Sequence, residues 1–386
     1  MNPSHTTESD SQSPPAAEPL RVGVYGVLTT RLRYGALVSP LPASSLAVII
    51  DSDVRLARSW ARQMGAKPEF MPSFGDFLAQ PPAVDAMILP IPLRLRQSTI
   101  KACLENRIGV LCELPFAYSL KEQEELIRLA QEQETLLMPM LPRRFDPAFE
   151  AVTKILAEGS LGDLRHVRGE WSLPMGEVAI MENGVDDIEE DLLLQHILCQ
   201  SVDRFQGWFG EPMTVSGDVV AFRKENISAK RQKPEEAPLG TLLISFDRAQ
   251  VTLSASRTRS AYPGERYLFT GTQAQLEFIA RSGTRHATST APTITIHKAG
   301  RVEVVEIFEE STPERRVAEA LSHFLACARG LVPAPTFAQE MHSTLNVVHG
   351  GYLSTVGNNK ISLPLKRAPS FEAFFRRFET TKHIGL

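Results

Sequence analysis

The chain has 386 residues, 43% hydrophobic and 22% charged, ordinary values for a soluble globular protein long enough for two domains. A formal net charge of −4 gives no basic field for nucleic acid, and no apolar run approaches the ~20 residues that cross a bilayer. The four cysteines (Cys103, Cys112, Cys199, Cys327) are scattered without CxxC and the nine histidines lack HExxH spacing, so no metal site is expected.

Residues 1–20 are rich in Ser, Thr, Pro and acidic side chains and lack an apolar h-region, which predicts a disordered tail and a cytoplasmic protein. Arg21–Gly26 opens the fold as a strand. Leu46–Ile50 is a near-continuous apolar run, as in a parallel strand buried on both faces, and it ends in Asp51. Asp53–Met64 reads as a helix with Val54, Ala57 and Ala61 on one face; Val84–Leu89 is a strand and Arg96–Asn106 a helix. The stretch Ile108–Ser119 (I-G-V-L-C-E-L-P-F-A-Y-S) organises the rest. Its strand, Val110 to Cys112, stops at Glu113-Leu114, because Pro115 lacks an N–H and disfavours helical backbone before it. Ser119 is placed to cap the helix Ser119–Gln133, with Glu122 at capping-box spacing, and Leu136–Met140 follows as a strand. Strands alternating with helices predict a doubly wound parallel sheet over residues 21–142.

After Pro142 the pattern changes. A helix, Asp146–Glu158, is closed by Gly159, and then Leu164–Trp171 begins a run of strands. Thr241–Phe246 and Gln250–Ala255 read as a hairpin whose alternation gives the sheet two unlike faces. Tyr267–Thr270, Gln275–Ile279, Thr293–His297 and Val302–Ile307 are further strands, and Lys224–Pro238 reads as an exposed loop. Two helices follow, one from Thr312-Pro313 with Val317, Leu321, Phe324 and Ala328 inward, the other from a Thr336–Gln339 capping box with a Met341, Leu345, Val348, Tyr352 stripe. Residues 143–365 therefore form a second, α+β domain with a large, mainly antiparallel sheet. Residues 366–386 form a tail in which Phe371, Phe374, Phe375 and Phe378 share one face of a short docking helix.

From about residue 21 to 365 the chain resembles the Gfo/Idh/MocA oxidoreductases, two-domain NAD(P)-dependent sugar and cyclitol dehydrogenases. The resemblance rests on Gly26, on the strand-then-proline segment ending at Pro92, on Cys103–Pro115, on R-R-F-D-P-A-F from Arg143, and on the closing helices. It implies an N-terminal Rossmann sheet, a cofactor site including Gly26, Pro92 and Glu113, and a ligand of sugar or polyol type. It also implies a homo- or hetero-oligomer.

At the sites, the sequence departs from the family pattern. Where a fingerprint reads G-x-G-x-x-G, Gly26–Arg31 reads G-V-L-T-T-R, with Leu28 and Arg31 at the second and third glycines. Either Thr29, Thr30 or Arg31 binds phosphate in a variant loop, or the turn no longer holds a dinucleotide well. Asp51 follows Gly26 by 25 residues and is either the ribose carboxylate that favours NAD over NADP, or an acid at a helix N-terminus. The family's Glu-Lys-Pro lysine is Leu114, which has no charge to offer, and Glu113 is either a binding or a structural group. Matching back from Trp208-Phe209-Gly210 puts Asp203 on the family's final aspartate, Gln200 on its catalytic histidine and His196 on its first aspartate. These three share one helical face, and only His196 titrates near neutrality. It is either a surrogate base or a hydrogen-bonded structural histidine. Two functions follow: a non-catalytic relative acting as ligand sensor or partner subunit, or an NAD(P)-dependent dehydrogenase using His196.

Overall fold

The structure, a computed structural model, describes residues 18–26, 44–63, 65–174, 190–219, 238–258, 264–281, 292–307 and 312–367. The expectations for residues 1–17, for Leu28, Thr29, Thr30 and Arg31, for the charged loop up to residue 237 and for the phenylalanine tail lie outside these residues.

Strands β1 (Leu20–Tyr25), β2 (Ser44–Ile50), β3 (Glu69–Met71), β4 (Ala86–Leu89), β5 (Gly109–Cys112) and β6 (Leu137–Pro139) pair in parallel in the order β3-β2-β1-β4-β5-β6. Helices α1 (Val54–Gln63), α2 (Phe74–Ala79), α3 (Leu93–Glu105) and α4 (Leu120–Glu132) lie between them in the chain. This is the expected Rossmann sheet, and its order reverses between β1 and β4, where such sheets hold ligands beyond their carboxyl ends. The strands are apolar without alternation because each face has its own core. Val48, Ile50, Leu89 and Val110 point into one, Val22, Val24, Ile49 and Leu111 into the other. Two elements of this first half, β3 and α2, were not read from the sequence; at three and six residues they carry too little periodicity.

The chain then makes one tight helical turn (Pro142–Phe145) and α5 (Pro147–Ala157), capped by the Asp146 carboxylate, which accepts from Ala148 N–H at 2.9 Å. The second sheet contains β7 (Leu164–Pro174), β8 (Thr214–Val219), β9 (Pro238–Ser245), β10 (Gln250–Thr258), β11 (Gly264–Gly271), β12 (Gln275–Arg281), β13 (Thr293–Lys298), β14 (Arg301–Val305) and β15 (Ile361–Ser362). Its order is β14-β13-β12-β11-β7-β10-β9-β8-β15, antiparallel except where β7 meets β10. The predicted hairpin is β9–β10, with Leu242, Ile244, Val251 and Leu253 fully buried on one face.

Three helices complete the fold: α6 (Glu190–Phe209), α7 (Pro313–Ala328) and α8 (Phe337–Gly357). The inward face of α7 is the one expected, but it packs on the first sheet, sharing a core with Val22, Ile49 and Ala61. The Ser119–Glu122 capping box forms as read, with Oγ accepting from Glu122 N–H at 3.2 Å and the Glu122 carboxylate accepting from Ser119 N–H at 2.9 Å. The Thr336–Gln339 box does not form. Thr336 has φ −82 and ψ 19 instead of the extended backbone a cap needs, and its hydroxyl donates to the Glu340 carboxylate. The predicted stripe of α8 is buried, and so are Thr344, Asn346 and His349, because α8 is packed on α4 and β6 on one side and β8 on the other. At its contact with β8 a Cβ on Gly217 would stand 3.1 Å from the Gly351 carbonyl oxygen, so glycine permits the approach. No helix among the described residues is long and apolar enough to cross a membrane.

Candidate functional site

The carboxyl ends of the parallel strands gather the first half of the site. Gly26, at the end of β1, has φ 97, a conformation glycine tolerates, and donates its N–H to the Ile50 carbonyl at 3.0 Å. Asp51 stands buried at the end of β2, where its carboxylate accepts from Asp53 N–H at 2.9 Å; Asp53 in turn accepts from Leu56 N–H at 3.0 Å and caps α1. The Tyr25 ring stacks on Phe74 with centroids 5.4 Å apart, and burial, then the nearby Asp51 charge, push the phenol up. Pro92 ends the β4 loop as the residue before α3.

Glu113 and Leu114 follow β5 as expected, and both are buried, Leu114 being only 4% exposed. Their loop is tied down by a residue not singled out in the sequence. Arg96 of α3 donates from Nε to the Ile91 carbonyl at 2.7 Å and from Nη1 to the Leu114 and Pro115 carbonyls at 3.0 and 2.8 Å. A signal existed: Arg96 lies on the stripe of Leu93, Ile100 and Cys103, so it is a charge on the inward face of its helix.

β6 runs beside β5 and carries the chain into Arg143 and Arg144, which hold the second half. Arg144 grips the Asp203 carboxylate with Nε at 3.0 Å and Nη2 at 2.5 Å, pairs with Glu340 through Nη1, and lies over the Phe337 ring at 4.5 Å. Burial pushes the Asp203 carboxyl up against the pull of Arg144. Burial also opposes the Arg144 charge, but Asp203 and Glu340 more than offset it and raise its pKa. Arg143 donates from Nε to the Gln200 amide oxygen at 2.7 Å, pairs with Glu265 through Nη1, and lies over the Trp171 ring at 4.6 Å. Arg204 donates to the other Glu265 oxygen at 2.5 Å, and Tyr267 OH donates to that same oxygen at 2.8 Å.

The structure therefore brings Gln200 and Asp203 together through adjacent arginines, and sets Glu113 and Leu114 on the neighbouring strand end. His196 lies on α6, and its side chain is outside the described residues. Arg143, Arg204, Glu265 and Tyr267 were missed as site residues, since their hydrogen-bond partners are 57 or more residues apart except within the Glu265–Tyr267 pair. Among the described residues no group of three or more His, Cys, Asp or Glu side chains could hold a metal ion. The cysteines Cys103, Cys112 and Cys199 are free and buried, and burial pushes the Cys103 and Cys112 thiols up to about 12.

Residues 20–140 match the model of a family described as an oxidoreductase family with an NAD-binding Rossmann fold. A human trans-1,2-dihydrobenzene-1,2-diol dehydrogenase is 30% identical over 154 residues, 39% of this chain and 46% of that protein, so the match spans about half of the relative's length. Among solved structures, an NAD-binding oxidoreductase from Klebsiella pneumoniae superposes with TM-score 0.69 at 15% identity, over 90% of this chain and 100% of that one. A 3-ketoreductase from Actinomadura kijaniata, in complex with NADP and TDP-benzene, superposes with TM-score 0.67 at 18% identity, over 85% and 95%. At such identities the structural likeness concerns the fold.

Proposed function

Since residues 20–140 match the Gfo/Idh/MocA oxidoreductase family model, we propose that the chain keeps a small-molecule crevice of sugar or polyol type and has lost proton and hydride transfer. It would act as a ligand sensor or as a partner subunit. Residues 21–142 would supply the nucleotide side of the crevice and residues 143–365 the ligand side, in a cytoplasmic homo- or hetero-oligomer.

The observation that carries this reading is the state of the two positions where the family has its lysine and histidine. Leu114 is an apolar side chain packed in the core with Phe116 and Leu141, and the Gln200 amide oxygen is held by Arg143. An amide accepts hydrogen bonds but does not exchange a proton as a base, which costs about 10²–10⁴-fold in rate. An aliphatic side chain offers nothing to developing negative charge. Two residues suit the nucleoside end of NAD: Gly26 keeps the tight turn after the first strand, and the Asp51 carboxylate suits a ribose diol and opposes the 2′-phosphate of NADP. When bound, such a cofactor supplies hydride chemistry. The residues of this chain would bind it through Gly26, Asp51, Pro92 and Glu113.

NADH formation across a panel of sugars, polyols, cyclitols and a benzene dihydrodiol tests the reading, with NADH binding followed by fluorescence. The expected result is no substrate-dependent NADH formation. The family match favours a second reading, a dehydrogenase with His196 as surrogate base. It predicts turnover with a limb near about pH 6–7, the range of an unperturbed histidine, abolished in His196→Ala. Observing that turnover and its loss would overturn the non-catalytic assignment. A variant with both Leu114→Lys and Gln200→His is expected to stay nearly inactive while Leu28 replaces the second fingerprint glycine.

A further inference from the structure

We propose that Arg143 anchors a carboxylate of the ligand, so that the crevice selects an acidic sugar or polyhydroxy acid over its neutral polyol counterpart. The inference rests on the ligand-site reading above and specifies its chemistry.

Leu114 brings no charge of its own to the end of β5, where the Arg96 guanidinium is committed to the Leu114 and Pro115 carbonyls, and the chain just after the adjacent strand supplies a second cation. Arg143 follows β6 by a few residues, at the ligand edge of the parallel sheet, and its Nε is bonded to Gln200. The guanidinium is fixed over the Trp171 ring, which excludes water from one face and strengthens any ion pair made there. Exposure orders the cluster: the Arg143 side chain is 12% exposed, whereas Glu265 and Arg204 are each 3%. Arg143 is thus the member of this group that an entering ligand reaches first.

The arrangement also makes an exchange of partners inexpensive. A buried carboxylate left without a counter-charge is strongly unfavourable, which would ordinarily lock Arg143 to Glu265. Here Glu265 is held twice over, by Arg204 at 2.5 Å and by Tyr267 OH at 2.8 Å, both on the oxygen that Arg143 does not use. Arg143 can therefore turn its fork to a ligand carboxylate while Glu265 stays neutralised. A guanidinium suits that role because its planar donors match a carboxylate in a bidentate pair. A neutral polyol offers only hydroxyls and cannot compete with Glu265 for the same donors.

The test is calorimetric titration of the full-length protein, with and without NADH, using matched pairs: D-gluconate against sorbitol, and D-glucuronate against D-glucose. The acid of at least one pair is expected to bind about tenfold to a hundredfold more tightly, the range of a charge-assisted hydrogen bond. Arg143→Gln should abolish that preference, and Arg143→Lys, which keeps the charge without the fork, should retain part of it. Circular dichroism and melting curves establish that both variants fold. Equal affinity within each pair, or a preference surviving in Arg143→Gln, would overturn the proposal and leave the ligand-site reading standing. Failure of every compound to bind would sink both. NADH production from any of them would overturn only the non-catalytic reading.

Discussion

Replacing Glu265 by alanine is expected to destabilise the protein by about 3–5 kcal/mol, more than removing either of the arginines it serves. The order follows from the count of charges. Glu265 is one buried carboxylate shared by two guanidiniums, Arg143 through one oxygen and Arg204 through the other. Its removal deprives both cations at once, and Arg204 is too deeply buried to recover hydration. Arg143→Met or Arg204→Met leaves the carboxylate with one guanidinium, so each should cost about 1–3 kcal/mol, the scale of a charged hydrogen bond. Glu265→Gln keeps the shape and an acceptor for Tyr267, and should fall between. Against a typical total stability of about 5–15 kcal/mol, the alanine loss is a large fraction. Urea unfolding midpoints of the four variants check the ordering; an arginine variant less stable than Glu265→Ala would contradict it.

What was legible in the sequence was local. A buried parallel strand announces itself by a nearly unbroken apolar run, and the strands read at Leu46–Ile50 and Val84–Leu89 needed no tertiary knowledge. The capping box at Ser119 and the helix start at Thr312-Pro313, with proline in the first turn, are contained within four residues and formed as read. Thr336 shows the limit of the same reasoning: a neighbouring carboxylate, Glu340, took the hydroxyl that the motif assigns to the backbone. Strand β8 (T-V-S-G-D-V) hides because its glycine and polar residues weaken the alternation, although Val215 and Val219 are buried. The placement of α7 on the first sheet is a fact of chain path, since the same apolar stripe would satisfy either core.

The site was legible only in part, for the same reason. Glu113, Leu114, Gln200 and Asp203 were singled out on the resemblance, and the structure puts the first two at a strand end and the others on a helix, Asp203 buried and Gln200 half-buried. The arginines that define their surroundings come from pairing over distances such as the 122 residues between Arg143 and Glu265. No periodicity encodes a contact of that separation. The partial signal was the doublet Arg143-Arg144 a few residues after a buried strand, where two adjacent, largely buried charges need counter-charges from elsewhere.

Between about pH 7.5 and about pH 5 the protein is expected to lose about 2 kcal/mol of stability through one histidine. His349 lies at the buried centre of α8, where burial, and secondarily the charge of His342, push its pKa from the ordinary 6.5 down to about 4. A folded-state pKa below the unfolded one means that the neutral form is the one the fold accommodates. Above about pH 6.5 both states are neutral there and the full stability is present. As pH falls through 6.5 the unfolded chain takes up a proton that the folded protein refuses until about pH 4, so stability declines across that window. His342 shifts in the same direction, burial lowering its pKa against the pull of Glu124, and adds to the slope. Depressed carboxylates do not mimic this effect. Asp85, held down by its bond from Arg21, loses its contribution only as pH falls below its ordinary 3.8. His349→Leu, of similar volume and without a titrating group, should flatten the dependence of the urea midpoint on pH in this range, whatever it does to the midpoint at neutral pH. A slope between about pH 7.5 and about pH 5 that is the same in wild type and His349→Leu would show that the histidine is not its source.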